Sequence, residues 1–148
     1  GRSSALKFAE KRLLQLLLTC PELQPELLAS CTGDDFHGLA AGRIFELILE
    51  RHRQGAVATF EQLHLALAGT DDQSLLAHLQ MEEVPEGSTR ESGQSCLDAL
   101  RAVRLESRKQ QILSQIAEAA ERKDDASLNQ LIEQRVLVDR ELVSLSRK

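Results

Sequence analysis

The sequence predicts an all-α fold, in which a bundle of short helices is followed by a long helix and a C-terminal helical hairpin. Apolar residues recur at intervals of three and four along most of the 148-residue chain, and this repeat is typical of helices with one buried face. No segment alternates apolar and polar residues with a period of two, so the sequence predicts no strands. Proline and glycine follow the helical segments, as at Pro21 and Gly55, where they are expected to end a helix.

Three short helices are predicted in the first part of the chain. The first covers residues 5–19, and leucines around most of its circumference, over residues 13–18, indicate that it is buried. Pro25 suits the first turn of a second short helix, because the amide hydrogen that proline lacks would be unpaired there. The third helix is predicted over residues 37–54.

Two further helices follow in the predicted bundle. Thr59 and Gln62 match a capping box, in which each side chain bonds the backbone of the other residue, and they mark the start of the fourth helix. Asp71 or Asp72 is expected to cap the fifth helix, since a carboxylate there accepts hydrogen bonds from unpaired amides. Residues 85–89, which include proline and glycine, are predicted to form a loop.

The last part of the chain predicts two helices folded back on each other. The first runs from about residue 91 to residue 123, and the second follows a turn at residues 123–126. Lys109 and Arg135 interrupt the apolar spacing. Their methylenes can lie on the seam with the charge in water, or their charges can fix the register or pair with a partner's carboxylate. Eight residues are predicted to form the apolar seam that closes the hairpin: Leu105, Ile112, Ile116, Leu128, Leu131, Val138, Leu142 and Leu145.

The final helix carries a second group of apolar residues away from this seam. A two-helix hairpin cannot bury both groups against one neighbour. The second group therefore either packs on the bundle or is an exposed patch that marks an interface. Basic residues near the C-terminus complement the helix dipole and would equally suit an acidic partner. The predicted partner-binding residues are Ile132, Val136, Leu137, Arg140, Val143, Arg147 and Lys148.

These segments predict two subdomains. Residues 1–4 are interpreted as a tag remnant or a linker, residues 5–100 as a helical bundle and residues 101–148 as the hairpin subdomain. The long helix therefore belongs to both subdomains, because it leaves the bundle near residue 100 and continues as the first half of the hairpin.

The composition argues against nucleic-acid and membrane binding. The net charge is −5, whereas surfaces that bind duplex DNA are usually basic. The chain has no tryptophan or tyrosine, so a base-stacking platform for single strands is not expected. Its three cysteines have no close pairing, which predicts free thiols and a cytoplasmic location. No run approaches the ~20 apolar residues that span a bilayer.

No arrangement of residues predicts catalysis or metal binding. The histidines show no metal-ligand spacing, and there is no glycine-rich phosphate loop. Paired aspartates at residues 34–35, 71–72 and 124–125 lie where helices should begin, so capping explains them better than acid–base chemistry or magnesium binding. We therefore predict no catalytic, cofactor-binding or metal-binding residues, no small-molecule ligand and no enzymatic activity for this chain.

Several runs of helix residues carry a resemblance that covers nearly the whole chain. They are residues 9–18, 21–23, 35–36, 42–45, 59–60, 105–109, 116–119, 131–134 and 140–142. Together they resemble the C-terminal helicase-binding domain of bacterial DnaG-type DNA primases. The shared features are patterns of helix residues rather than a catalytic signature.

The resemblance implies a helicase-docking function. In that family the domain is a helical bundle with a terminal hairpin that binds the N-terminal domains of the hexameric DnaB-type replicative helicase. It recruits primase to the replication fork and modulates the helicase. The family's zinc-binding module and its polymerase domain with metal-binding carboxylates have no matching positions in this chain. No primer synthesis, zinc or magnesium is therefore expected here.

Two alternatives remain open at the level of sequence. The bundle is also similar to the N-terminal domain of the replicative helicase itself, which shares the leucine-rich first helix. The chain can also be an unrelated helical adaptor with weak nucleic-acid binding, although the acidic residues interspersed with the basic ones in the hairpin disfavour this.

Overall fold

The computed structural model describes residues 8–83, 87 and 90–147. The described part of the chain is all-α and has no strands, which confirms the predicted fold class. The predicted linker at residues 1–4, the expected helix start at residue 5, most of the loop at residues 85–89 and Lys148 lie outside the described residues. The helices are α1 (Phe8–Thr19), α2 (Gln24–Leu28), α3 (Gly42–Arg53), α4 (Phe60–Ala66), α5 (Asp71–Met81), α6 (Arg90–Glu121) and α7 (Asp125–Ser146), with 3-10 turns at Pro21–Leu23 and Gly33–Asp35.

The chain divides into two compact units, Gly1–Leu97 and Asp98–Lys148. The first unit contains α1 to α5 and the beginning of α6, and the second contains the rest of α6 and all of α7. The sequence places this division after residue 100, slightly later in α6. Helix α6 is continuous from Arg90 to Glu121, so it is unbroken at the positively charged segment 104–109.

The core of the first unit is built around α1. Its leucines at positions 13, 14, 16 and 17 are fully buried, as the distribution of leucine around the helix predicts. Phe36 and Phe45 stack in this core with ring centroids 4.6 Å apart. A fully buried leucine or phenylalanine contributes roughly 1.5–3 kcal/mol to folding, so these side chains account for much of what holds the short helices together.

Gly93 lets the first turns of α6 approach α1 and α2 closely. A Cβ atom at this position would lie 2.6 Å from Leu27 Cδ1 and 3.3 Å from Leu16 Cδ2. Contacts as short as the first are not tolerated without movement of Leu27, which is itself buried. The glycine is therefore explained by packing and not by flexibility.

A buried glutamine, which the sequence did not reveal as structural, joins α2 to the segment before α4. Gln24 is 1% exposed. Its amide nitrogen donates to the carbonyl oxygens of Leu17 (3.0 Å) and Ala58 (2.9 Å), and its amide oxygen accepts from the Ala58 N–H (2.9 Å). These bonds pair backbone groups of Ala58 that no helix satisfies.

Helix α3 begins later than predicted, at Gly42 rather than at residue 37. Gly38 has a φ of 81°, a left-handed conformation that interrupts a right-handed helix. The amide of Ala40 then donates to the buried carboxylate of Glu10 (3.0 Å), so it is paired without a helical carbonyl. Gly55 follows the helix with a φ of 79°, as expected of a glycine that ends one.

The predicted cap of α5 is wrong, whereas that of α4 is confirmed. Thr59 and Gln62 form the expected capping box at the start of α4. At α5 the capping residue is Thr70, whose hydroxyl accepts from the backbone N–H of Gln73 (3.3 Å). Asp71 and Asp72 instead occupy the first turn, where the positive end of the helix dipole stabilises their negative charge.

A tight turn reverses the chain between α6 and α7. Lys123 adopts a φ of 58°, and its N–H donates to the Ala120 carbonyl (3.1 Å), while the Asp124 N–H donates to the Ala119 carbonyl (2.9 Å). This is the Schellman pattern of a helix end. Asp124 then caps α7 by accepting from the amide (3.2 Å) and the hydroxyl (2.7 Å) of Ser127. The two helices consequently form an antiparallel hairpin.

Among the described helices, none combines the length and the apolar character that crossing a bilayer requires.

Candidate functional site

The hairpin closes on one apolar cluster contributed by α6 and α7. Leu105, Ile112 and Val138 are buried at its centre. Leu128, which the spacing also assigns to the seam, is partly buried. The partly buried side chains that pack against the centre are Ile116, Leu131, Leu142 and Leu145. The cluster thus contains seven of the eight residues that the spacing assigns to the seam.

The two charged residues that interrupt the seam both reach one carboxylate. Lys109 on α6 lies 2.9 Å from Asp139 on α7, and Arg135 lies 3.8 Å from the other oxygen of the same carboxylate. The residues that precede Lys109 and Arg135 also join the two helices, since the Arg108 guanidinium donates to the Gln134 amide oxygen (3.0 Å). The carboxylate that pairs with Lys109 and Arg135 is therefore supplied by the hairpin itself.

On the opposite side of α7 the apolar side chains are exposed. Ile132, Val136 and Val143 have exposed fractions of 46%, 43% and 47%. At about 100° of rotation per residue, these side chains lie with Arg140 and Arg147 in one sector of about 80°. We call this sector, formed by Ile132, Val136, Arg140, Val143 and Arg147, the outer face of α7.

Leu137 does not share the outer face. It is 57% exposed, but it is rotated by about 100° from Val136. The structure therefore separates it from the other predicted partner-binding residues of α7, and Lys148 lies outside the described residues. Leu137 is adjacent to Val136 along the chain, whereas neighbours on a helix face are three or four residues apart.

A shallow groove of about 540 Å³ runs along the C-terminal half of the outer face. Two of its lining residues, Asp139 and Ser144, are absent from the predicted site. Asp139 lies four residues before Val143, and Ser144 lies four residues after Arg140. The sequence contains this signal, because residues at i and i±4 are neighbours on a helix. The residues lining the groove are Val136, Asp139, Arg140, Val143, Ser144 and Arg147.

The C-terminal half of the outer face is electropositive. Arg140 and Arg147 are exposed. Asp139 borders the same groove, but Lys109 and Arg135 already contact its carboxylate. The arrangement presents two guanidinium groups beside valine side chains, which is suited to binding a surface that combines apolar and acidic groups.

In residues 8–83, 87 and 90–147, no three histidine, cysteine, aspartate or glutamate side chains are placed to hold a metal ion. Burial raises the pKa of the Cys96 thiol, an effect that the charge of Arg12 partly opposes. A raised pKa keeps the thiol protonated and weakly nucleophilic.

The chain matches no protein-family model, no curated protein and no solved structure.

Proposed function

We propose that this chain is the non-catalytic C-terminal domain of a bacterial DnaG-type DNA primase. In this proposal the outer face of α7 binds the N-terminal domains of the hexameric DnaB-type replicative helicase. Binding recruits primase to the replication fork in the cytoplasm and modulates the helicase. The domain itself needs neither zinc nor magnesium for this role.

The exposed apolar stripe on the outer face is the observation that carries the proposal. The apolar cluster that closes the hairpin does not include Ile132, Val136 or Val143. Aligned exposed apolar side chains on one helix are a feature of protein–protein interfaces. They have the spacing of a helix that anchors in a partner's groove.

The dimensions of the outer face also fit a protein partner. From Ile132 to Arg147 the face extends over about 22 Å at 1.5 Å per residue. This length is comparable with one side of a small helical domain. The resemblance to the primase domain supplies the identity of that partner, and the geometry supplies a surface on which it can bind.

The test is binding to the cognate replicative helicase. We expect the chain to be retained by immobilised helicase and to raise its ATPase and unwinding rates. Val143→Asp places a charge in the middle of the outer face and should weaken retention at least tenfold, since a desolvated charge opposes burial of the surface. Leu137→Asp serves as the control, because it changes a leucine outside the face that is 57% exposed, against 47% for Val143.

Two results would contradict the proposal. The first is the absence of retention by the helicase at micromolar concentrations of both proteins. The second is retention that Val143→Asp and Leu137→Asp weaken equally, since binding would then not use the outer face.

A further inference from the structure

We propose that the outer face of α7 recognises an amphipathic helix whose apolar stripe is bordered by acidic side chains, two of them about two turns apart. The inference rests on the proposed function in one respect, because it takes the outer face as the docking surface. It adds the chemistry of the partner segment, which the resemblance does not specify.

The apolar positions favour a helix as the bound element. Val136 and Val143 lie two turns apart on the outer face, and Ile132 lies one turn before Val136. β-Branched side chains in a helix have one strongly preferred rotamer, so they form a fixed ridge. Such a ridge packs between the ridges of another helix. A strand would need unpaired backbone groups at an edge, and the interior of α7 has none.

The charges on the face favour acidic groups on that partner. Arg140 and Arg147 alternate with the valines and are separated by about 10.5 Å along the axis. Asp139, the acid that lines the same groove, is in contact with Lys109 and Arg135. A partner that covers this groove must leave both guanidinium groups wet or provide carboxylates for them.

The helix dipole does not account for both arginines. Arg147 is the C-terminal capping residue of α7, where a cation is favoured without any partner. Arg140 lies about two turns earlier, and the dipole effect falls off within the last turn. The helix dipole therefore does not explain the basic residue in the middle of the face.

The same charges argue against a second copy of this chain as the partner. A two-fold antiparallel pairing of outer faces over residues 132–147 would be centred next to Arg140. It would place the Arg140 side chains of the two copies against each other. Like charges in an interface oppose association, so a partner of opposite charge is favoured.

Designed helical peptides test this chemistry without knowledge of the natural partner. Three peptides would share one apolar stripe and differ only in the bordering residues, which would be glutamate, glutamine or lysine. Binding would be measured by fluorescence anisotropy at low and at moderate salt. We expect the glutamate peptide to bind on the order of tenfold more tightly than the lysine peptide, with the difference shrinking as salt increases.

Charge reversal on the protein provides the reciprocal test. Arg140→Glu should abolish the preference for the glutamate peptide or invert it. Arg43→Glu makes the same change in net charge at an exposed position in the first turn of α3, where an acidic residue is tolerated. This control variant should keep the preference of the wild-type chain.

The inference is overturned if the three peptides bind equally, or if Arg140→Glu and Arg43→Glu behave alike. It is also overturned if sedimentation shows a dimer that Val143→Asp dissociates, because a second copy then occupies the face.

Helicase binding separates this inference from the proposed function. If Val143→Asp abolishes helicase binding and Arg140→Glu leaves it unchanged, the acidic partner is excluded and the docking function stands. If the glutamate peptide binds and the helicase does not, the proposed function fails and the acidic-helix inference is retained.

Discussion

Lys109 on α6 and Asp139 on α7 form an ion pair of 2.9 Å across the hairpin. The pair lies beside the buried seam, and Arg135 contacts the same carboxylate. Because it joins one position on each helix, the pair favours a single register of α6 against α7. A seam made only of aliphatic side chains specifies its register less strictly, since such residues tolerate exchange of neighbours.

A double-mutant cycle measures this pair. Both side chains are partly exposed, so we expect a coupling free energy of about 0.5–1 kcal/mol between Lys109→Met and Asp139→Asn. Urea unfolding at two salt concentrations provides the measurement. The coupling should decrease at high salt because the charges are accessible to counterions. A coupling of zero at low salt would mean that the pair does not stabilise the hairpin.

Adjacent residues on α7 should respond differently to the same substitution. Leu142 packs against the seam, so Leu142→Asp should cost several kcal/mol and unfold the hairpin. Val143 lies on the outer face, and Val143→Asp should change the free energy of unfolding by no more than about ±0.5 kcal/mol. Circular dichroism during thermal unfolding distinguishes the two variants. Equal losses of stability would contradict the assignment of Leu142 and Val143 to different faces.

The contrast between Leu142 and Val143 shows which features the sequence can predict. Helical periodicity is a local property, and it is sufficient to divide α7 into a seam and an exposed stripe. Residues adjacent in the chain point to different sides of that helix, as the positions of Val136 and Leu137 show. The start of α3 is harder to predict. The left-handed Gly38 and the long-range hydrogen bond from Ala40 to Glu10 keep the residues before Gly42 out of the helix.

Gln24 illustrates a larger gap between sequence and structure. Glutamine is usually exposed, and its role depends on Ala58, which is distant in the chain. No spacing rule relates the two residues. The groups that determine this part of the fold are backbone N–H and C=O groups, which every residue except proline carries as a pair and which a sequence pattern does not distinguish.

Gln24→Leu should therefore destabilise the first unit more than the same substitution at an exposed glutamine. The substitution leaves the buried N–H and C=O of Ala58 without their side-chain partner, at a cost of roughly 2–3 kcal/mol. Chemical unfolding would be monitored with the exposed Gln80→Leu as the matched control. A loss as small as that of the control would show that water satisfies the Ala58 backbone instead.

Lys123→Gly is expected to stabilise the hairpin. Lys123 has a φ of 58°, and glycine adopts this conformation without the steric cost of a Cβ atom. We expect a gain of about 0.5–1 kcal/mol, reduced from the full steric term by the greater entropy of glycine in the unfolded chain. Arg122→Gly tests the neighbouring residue, which continues the helical bonding of α6, and should destabilise. If both variants destabilise, the turn is not strained at Lys123.

The capping of α7 by Asp124 should make the hairpin sensitive to acid. Hydrogen bonds from the side chain and then the backbone of Ser127 lower the pKa of the Asp124 carboxyl below its ordinary value of 3.8. The folded state therefore binds this proton less readily than the unfolded state, and the capping contribution is fully present above the ordinary pKa. It is lost as the pH falls through the lower pKa of the folded state.

The advantage of the wild-type chain over Asp124→Asn should consequently be constant between neutral pH and about pH 5 and shrink at lower pH. Urea unfolding across this range gives the measurement. Asp125→Asn, in the first turn of α7 beside the cap, is the matched control because no capping bond would be removed. An advantage that persists at pH 2.5 would show that hydrogen bonding by the neutral carboxyl, and not its charge, stabilises the start of α7.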